Sequence, residues 1–424
     1  MDITIAIVAI LICVLFAAAI SRRIQGTIIT LPMVYTVLGL ILSSRVLNIV
    51  NFDLENELIR FIAELTLILV LATDASRIDV RRLVKDHSIP IRLLGIGLPL
   101  MMIFGTIVAA VLFAGLDFGE AAVLAVILSP TDASLGQAVV TNSKVPVRIR
   151  QALNIESGLN DGIAMPFLLL ALSLAVAEET SFGEGYWLGL AFAQIVFGTL
   201  AGVIIGFLGG RFIEWGLHSG WMSKEFQKIS LLALALLAFG FAELVGGNGF
   251  IAAFVMGVTA ANTTRKEETE MLYEFTEVEV QGLMLLTFMV VFGAVMLPLA
   301  LDHFTGVMLL YAVLSLAVIR FLSVFISLIG TRVQPVTTAF LGWFGPRGVA
   351  SILYIFTVLE EDLADEALLF NAVMLTVLIS IFAHGITAVP GANWYAKRVE
   401  TMVEPEGTEM MEVPEMPVRA IQES

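Results

Sequence analysis

Apolar runs of bilayer-crossing length follow one another along almost the whole chain, with short polar stretches between them. Thirteen can be counted, near 3–20, 27–44, 58–75, 90–114, 120–141, 150–177, 186–208, 228–245, 249–262, 278–298, 305–329, 336–358 and 367–388. A helix of about 20 apolar residues crosses a bilayer core. The ninth run is short for a crossing, which leaves twelve as the other count. Hydrocarbon offers no water to backbone N–H and C=O groups, so helix is forced as the conformation. The pattern predicts an all-α polytopic membrane protein with about 13 transmembrane helices over residues 1–400.

Composition agrees and narrows the class. Of 424 residues, 58% are hydrophobic and only 14% charged, where a soluble domain carries about a quarter charged. The net charge of −15 comes largely from loops and tail and is no nucleic-acid footprint. Cys13 is the sole cysteine, which leaves no intrachain disulfide and no cysteine metal site. His87, His218, His303 and His384 lack metal-ligand spacing and are expected in loops or at helix ends. No phosphate-binding Gly-x-x-x-x-Gly-Lys-Ser/Thr motif occurs, which disfavours ATP-driven transport. Neither an enzymatic centre nor a cofactor is expected. Met1-Asp2 lacks a basic n-region, so no cleavable signal peptide is expected either.

Cations gather on alternate loops: Arg22 and Arg23; Arg77, Arg81, Arg82 and Lys85; Lys144, Arg148 and Arg150; Arg211, Lys224 and Lys228; Arg265 and Lys266; Arg332; then Lys397 and Arg398. The intervening loops are acidic or poor in cations. Thirteen spans then place the N-terminus outside and the C-terminus in the cytoplasm of a cell-membrane protein. Residues 401–424, rich in glutamate, methionine and proline, read as a disordered acidic cytoplasmic tail.

Two spans are interrupted. The fifth contains Ser129-Pro130-Thr131-Asp132, and the twelfth contains Gly342-Trp343-Phe344-Gly345-Pro346-Arg347-Gly348. Proline removes a backbone donor and clashes with the preceding turn. Thr131 and Asp132 are suited to cap the second half of the fifth helix. The odd offset of seven spans reverses orientation, as an inverted repeat of segments four to six and eleven to thirteen would. Paired interruptions point to a transporter's binding site, with the two broken helices crossing there. Half-helix N-termini favour an anion and C-termini a cation; Asp132 and Arg347 have the right signs.

The sixth span carries Asn154-Ile155-Glu156-Ser157-Gly158-Leu159-Asn160-Asp161-Gly162. Ser157 and Asp161 are four apart and share a face; Glu156 and Asn160 share the neighbouring one. Gly158 and Gly162 are placed to let another helix approach. Asp132, Glu156, Asp161, Arg320 and Arg347 all lie deep in spans. At about 2.5–3.5 kcal/mol each, five independent charges would cost roughly 12–18 kcal/mol, more than a typical domain's stability. Some must pair, and Glu156 with Arg347 or Arg320 is the economical choice. Asp161 then remains to face water. Burial disfavours a carboxylate's charged form, so Asp161 can hold a proton and release it to an arriving cation. Ser157, Thr131 and carbonyls at the break supply neutral oxygens for a hard cation. Asp74 on the third span either joins this path or reaches interfacial water from a helix end; Glu64 has no assigned role.

Ser129-Pro130-Thr131-Asp132-Ala133, Glu156-Ser157-Gly158-Leu159-Asn160-Asp161-Gly162 and Gly345-Pro346-Arg347-Gly348 closely resemble the NhaP-type sodium/proton antiporters of the monovalent cation:proton antiporter superfamily. The resemblance covers nearly the whole chain in span order and spacing. It implies a homodimer in lipid whose thirteen-helix protomers each have a transport bundle (near 90–178 and 305–390) and dimer or scaffold helices (near 1–76 and 186–298). It implies Asp161 as the carboxylate binding Na⁺ or H⁺. Asp132 and Thr131 would stand at the crossing, with Ser157 and Asn160 at the site and Glu156 paired to Arg347 or Arg320. Asn160-Asp161 looks like the signature of electroneutral members. One carboxylate holding either one proton or one Na⁺ (or Li⁺) gives one-for-one exchange by alternating access. K⁺/H⁺ exchange on the same scaffold, or a non-transporting membrane sensor, are the alternatives.

Overall fold

The computed structural model describes residues 3–24, 26–86, 88–132, 134–179, 184–264, 279–361 and 363–401, with 409 and 413. His87, Ala133, Arg265, Lys266 and almost all of 402–424 lie outside the described residues. The described chain is nearly all helix, apart from loops and an isolated bridge between Ser43 and Val50.

Every apolar run is helical. The helices are α1 (Ile3–Ile24), α2 (Leu31–Leu42), α3 (Glu57–Ser76), α4 (Ser88–Leu112), α5 in two pieces (α5a Phe118–Ile127, α5b Gln137–Val140) and α6 (Val147–Glu179). They continue with α7 (Glu184–His218), α8 (Lys224–Leu244), α9 (Gly249–Thr263), α10 (Glu279–His303), α11 (Gly306–Ser327), α12 in two pieces (α12a Pro335–Trp343, α12b Val349–Val358) and α13 (Glu366–Glu400). Seven of these helices are long and apolar enough to cross a membrane: α1, α4, α6, α7, α10, α11 and α13. The twenty-residue α3 carries Arg60, Glu64 and Asp74, more charge than an ordinary span. α13 runs twelve residues past the apolar run that predicted it, to Glu400. Its extension is amphipathic rather than apolar and ends in Lys397 and Arg398, which suit a helix C-terminus.

Caps explain several helix starts. Asn56 accepts from the Leu58 N–H, Asp117 from Glu120, Asn248 from Ile251 and Thr305 from Met308. Close packing follows small residues. Gly198, Gly202, Gly206 and Gly210 recur every four positions on α7 and lie against α9, where a Cβ at any of them would come within 2.6–2.7 Å of a neighbour. Gly39 of α2 meets α10 so tightly that a Cβ would stand 1.9 Å from the Met289 carbonyl oxygen.

The core runs through the inner half of α3, α5a, α6, α12b and α13. Around it, α4 packs on α5a, α5a on α6, α11 on α12a and on α13, and α12b on α13. On the other side, α7, α8 and α9 pack together, α2 packs on α10, and α3 joins α9 to α6. α1 leaves most of its apolar residues exposed, as a lipid-facing helix does. From the tail, Glu409 is buried and accepts from the Gln334 N–H (2.6 Å) and the Thr337 hydroxyl (3.1 Å) at the start of α12a.

Candidate functional site

The two interruptions touch. α5a ends at Ile127, just before Pro130, which has no N–H to continue a helix. α12a ends at Trp343, and the chain resumes as α12b at Val349. The Asp132 N–H donates to the Pro346 carbonyl (2.8 Å). One oxygen of the Asp132 carboxylate accepts from the Val349 N–H at the start of α12b (2.9 Å) and the other from the Ser134 N–H (2.8 Å). Asp132 therefore caps the partner half-helix α12b, where the sequence suggested a cap for its own second half. Conversely, Arg347 donates to the carbonyls of Ser129 and of Pro130 (2.9 Å for the latter), just past the end of α5a. An acid at a helix N-terminus and a base at a C-terminus is the arrangement that peptide dipoles favour. Ser351 of α12b adds a bond to the Ile127 carbonyl (2.8 Å). Glycine is required at the contact, because a Cβ on Gly348 would lie 2.1 Å from the Asp132 carboxylate.

α6 passes beside this contact, and its two acids diverge. Glu156 forms a bidentate ion pair with Arg320 of α11 (2.8 Å from Nη2 to Oε2), and Nη2 also donates to the Leu341 carbonyl (3.2 Å). Both residues are fully buried, at 1% and 0% exposure. Of the two arginines that the sequence offered, Arg320 is thus the partner. Arg347 serves the α5 break instead, and Met101 of α4 packs its sulfur against both guanidinium groups (3.6 and 3.5 Å).

Asp161 is buried, with 7% exposure. It lies one turn after Ser157, whose hydroxyl is 3.0 Å from that of Thr131. The Asn160 amide donates to the same Thr131 hydroxyl (2.6 Å). Asn160 thus sides with Ser157 and Thr131, not with Glu156 as plain helical spacing suggested. Its Oδ1 is buried with no hydrogen-bond partner among the described residues. The Tyr354 hydroxyl of α12b donates to the Asp161 backbone carbonyl, tying the acid's position to the broken helix.

Asp74 is not at a wet helix end. It is 7% exposed, lies 3.9 Å from Arg77, and packs beside Gly158 of α6. The burial arises because the whole inner half of α3, from Thr66 to Ser76, is covered by its neighbours. Gly162 does allow close approach, since a Cβ would strike the Phe254 ring of α9 at 2.0 Å. A Cβ on Gly158 would make only ordinary contact with Asp74.

Sequence reasoning missed Tyr354, Ser351, Met101 and a polar stripe on α13. It also misplaced His384, which is 1% exposed and mid-helix because α13 continues beyond residue 388. The missed signal was periodic: Ser380, His384 and Thr387 stand at i, i+4 and i+7 in an otherwise apolar helix.

Comparison with known proteins converges with this geometry. The family described as "Sodium/hydrogen exchanger, transmembrane" matches residues 7–394. The "Probable Na(+)/H(+) antiporter C3A11.09" of Schizosaccharomyces pombe is 28% identical over 280 residues, 62% of this chain and 36% of that protein. The K⁺/H⁺ antiporter NhaP of Alkalimonas amylolytica is 26% identical over 415 residues, 96% of this chain and 69% of that protein. The chain thus spans about a third of the first relative and two thirds of the second. Among solved structures, the sodium proton antiporter MjNhaP1 of Methanocaldococcus jannaschii at pH 8 shares the fold, with a TM-score of 0.74 at 17% identity over 91% of this chain and all of that one. The chain is a multi-pass membrane protein that belongs to the sodium/hydrogen exchanger family, a family of transporters and not of enzymes.

Proposed function

We propose that this chain exchanges Na⁺ or Li⁺ for H⁺, one for one, with ion and proton competing for Asp161. The observation that carries the reading is the division of labour on α6. Glu156 is bound to Arg320, whereas Asp161 stands one helical turn after Ser157, whose hydroxyl and the Asn160 amide both meet Thr131. Hydroxyl and amide oxygens suit a hard alkali cation, and a carboxylate supplies the charge. A site that binds one H⁺ or one Na⁺, never both, couples the two without a separate gate. It also moves no net charge per cycle, in keeping with Asn160-Asp161.

The remaining residues take supporting parts. Asp132 has both oxygens on backbone N–H groups, so its work is to hold the two breaks together. Asp74 approaches α6 from α3 and is a candidate second acid on the ion's route. Alternating access arises from movement of one rigid group of helices (α4–α6, α11–α13) against another (α1–α3, α7–α10). A homodimer, with N-termini outside and C-termini in the cytoplasm, completes the reading. K⁺/H⁺ exchange is the second reading, favoured by one observation: the Alkalimonas relative named a K⁺/H⁺ antiporter aligns with 96% of this chain.

Purified protein in liposomes with an internal pH dye tests both. Na⁺, Li⁺ and K⁺ are added in turn, with and without an ionophore that clamps the membrane potential. The proposal expects Na⁺ and Li⁺ to drive proton movement at a rate unaffected by the clamp. A response to K⁺ alone selects the second reading, and a rate that follows the potential refutes electroneutral exchange.

A further inference from the structure

The α12 break is fastened by α13 as well as by α5. Between Trp343 and Val349 the backbone has left the helix, so its donors must find acceptors elsewhere. The Arg347 N–H finds one in the Ser380 hydroxyl oxygen, at 2.6 Å. Ser380 is fully buried. One turn later, His384 Nδ1 lies 3.0 Å from the Ser380 carbonyl oxygen and 3.2 Å from its Oγ. A carbonyl oxygen only accepts, so Nδ1 carries the proton and braces Ser380. His384 Nε2 is buried with no hydrogen-bond partner among the described residues. The imidazole lies against Trp343, the last residue of α12a, with ring centroids 5.1 Å apart. Trp343 Nε1–H in turn donates to Thr387 Oγ1 at 2.9 Å.

Three residues on one face of α13 thus hold both ends of the break, Trp343 at its entrance and Arg347 at its exit. Leucine would fill these positions at no polar cost if the helix only had to pack, because burying hydroxyls and imidazole is unfavourable unless they bond. What they secure is the backbone of Arg347, whose side chain grips the Ser129 and Pro130 carbonyls immediately before Thr131. Thr131 is the hydroxyl that joins Ser157 to Asn160.

We infer that Ser380 and His384 are positioning residues of the exchange site, setting Arg347 and through it the α5 break. The inference rests on the proposed exchange reading. Its test uses full-length Ser380→Ala, Ser380→Thr, His384→Leu and His384→Asn. Two readouts are compared: amide hydrogen exchange over residues 344–349, and the Na⁺ concentration giving half-maximal proton flux in liposomes. Ser380→Ala is expected to speed exchange in that stretch at least tenfold. It should also raise half-saturating Na⁺ three- to tenfold, with the maximal rate within twofold of wild type. Ser380→Thr, which keeps the acceptor, restores both values. His384→Leu behaves as Ser380→Ala does, and His384→Asn recovers part of the loss. Folded Ser380→Ala with wild-type exchange over 344–349 and wild-type half-saturation overturns the inference. Where both deletions fail to fold, His384→Asn decides: wild-type exchange over 344–349 and wild-type half-saturation in that folded variant overturn the inference as well. Faster amide exchange in a protein whose wild type moves no cation keeps the positioning role and rejects the exchange reading instead.

Discussion

The two faces of α6 meet the same problem, a carboxylate deep in a membrane helix, and solve it in opposite ways. On one face Glu156 is held by the planar fork of Arg320, fully buried and further anchored to the Leu341 carbonyl. On the other, Asp161 stands one turn after Ser157, whose hydroxyl meets that of Thr131, which in turn accepts from the Asn160 amide. A bidentate pair fixes geometry and commits the charge for good. A ring of neutral oxygens would orient a carboxylate without committing it, which is what the proposed exchange requires. On the proposed reading, the difference teaches that rigidity and exchange can be separated within five residues of one helix. The breaks in α5 and α12 follow the rigid pattern, with Asp132 and Arg347 each spent on the opposite helix's backbone ends.

Breaking the Glu156 face gives the largest stability effect. Glu156→Gln or Arg320→Ala strands a buried charge or its donors, which costs about 3–5 kcal/mol. Thermal unfolding in detergent should show a fall of many degrees, and Arg320→Lys should recover little because an ammonium cannot reproduce the fork. Unchanged stability in all three would remove the contrast between the faces. Next comes Gly348→Ala, whose Cβ would enter the space of the Asp132 carboxylate. Overpacking of this kind costs about 1–3 kcal/mol, and half-saturating Na⁺ should rise as the Val349 cap loosens. A variant with wild-type melting and affinity would show that the contact is not tight. The smallest effect belongs to the Asp161 face. Asn160→Ala removes one hydrogen bond to Thr131, worth about 1 kcal/mol or fivefold in half-saturating Na⁺, with little change in melting. A larger loss of stability than of affinity there would make both faces structural.

Much of this was legible in the sequence, for identifiable reasons. Apolar runs and interfacial cations announce spans because a bilayer forbids most alternatives. Ser129-Pro130-Thr131-Asp132 and Gly345-Pro346-Arg347-Gly348 announce breaks because proline and glycine stop helices locally. The charge count required pairing around Glu156. Partner choice was not legible: Glu156 and Arg320 are 164 residues apart, Asp132 and Val349 217 apart, and periodicity carries no information across such distances. Spacing also misassigned Asn160, since its reach to Thr131 depends on where α5 lies. α13 was cut short because hydropathy falls at residue 389 although the helix does not.

The central claim is that Asp161 alone is the group shared by cation and proton, and paired measurement of Asp161→Asn and Glu156→Gln in liposomes addresses it directly. Asp161→Asn should melt within a few degrees of wild type yet show no Na⁺-driven proton flux above protein-free liposomes. Folded Glu156→Gln should melt far lower while its remaining flux keeps the wild-type half-saturation. Na⁺-driven flux at the wild-type level in Asp161→Asn would contradict the account.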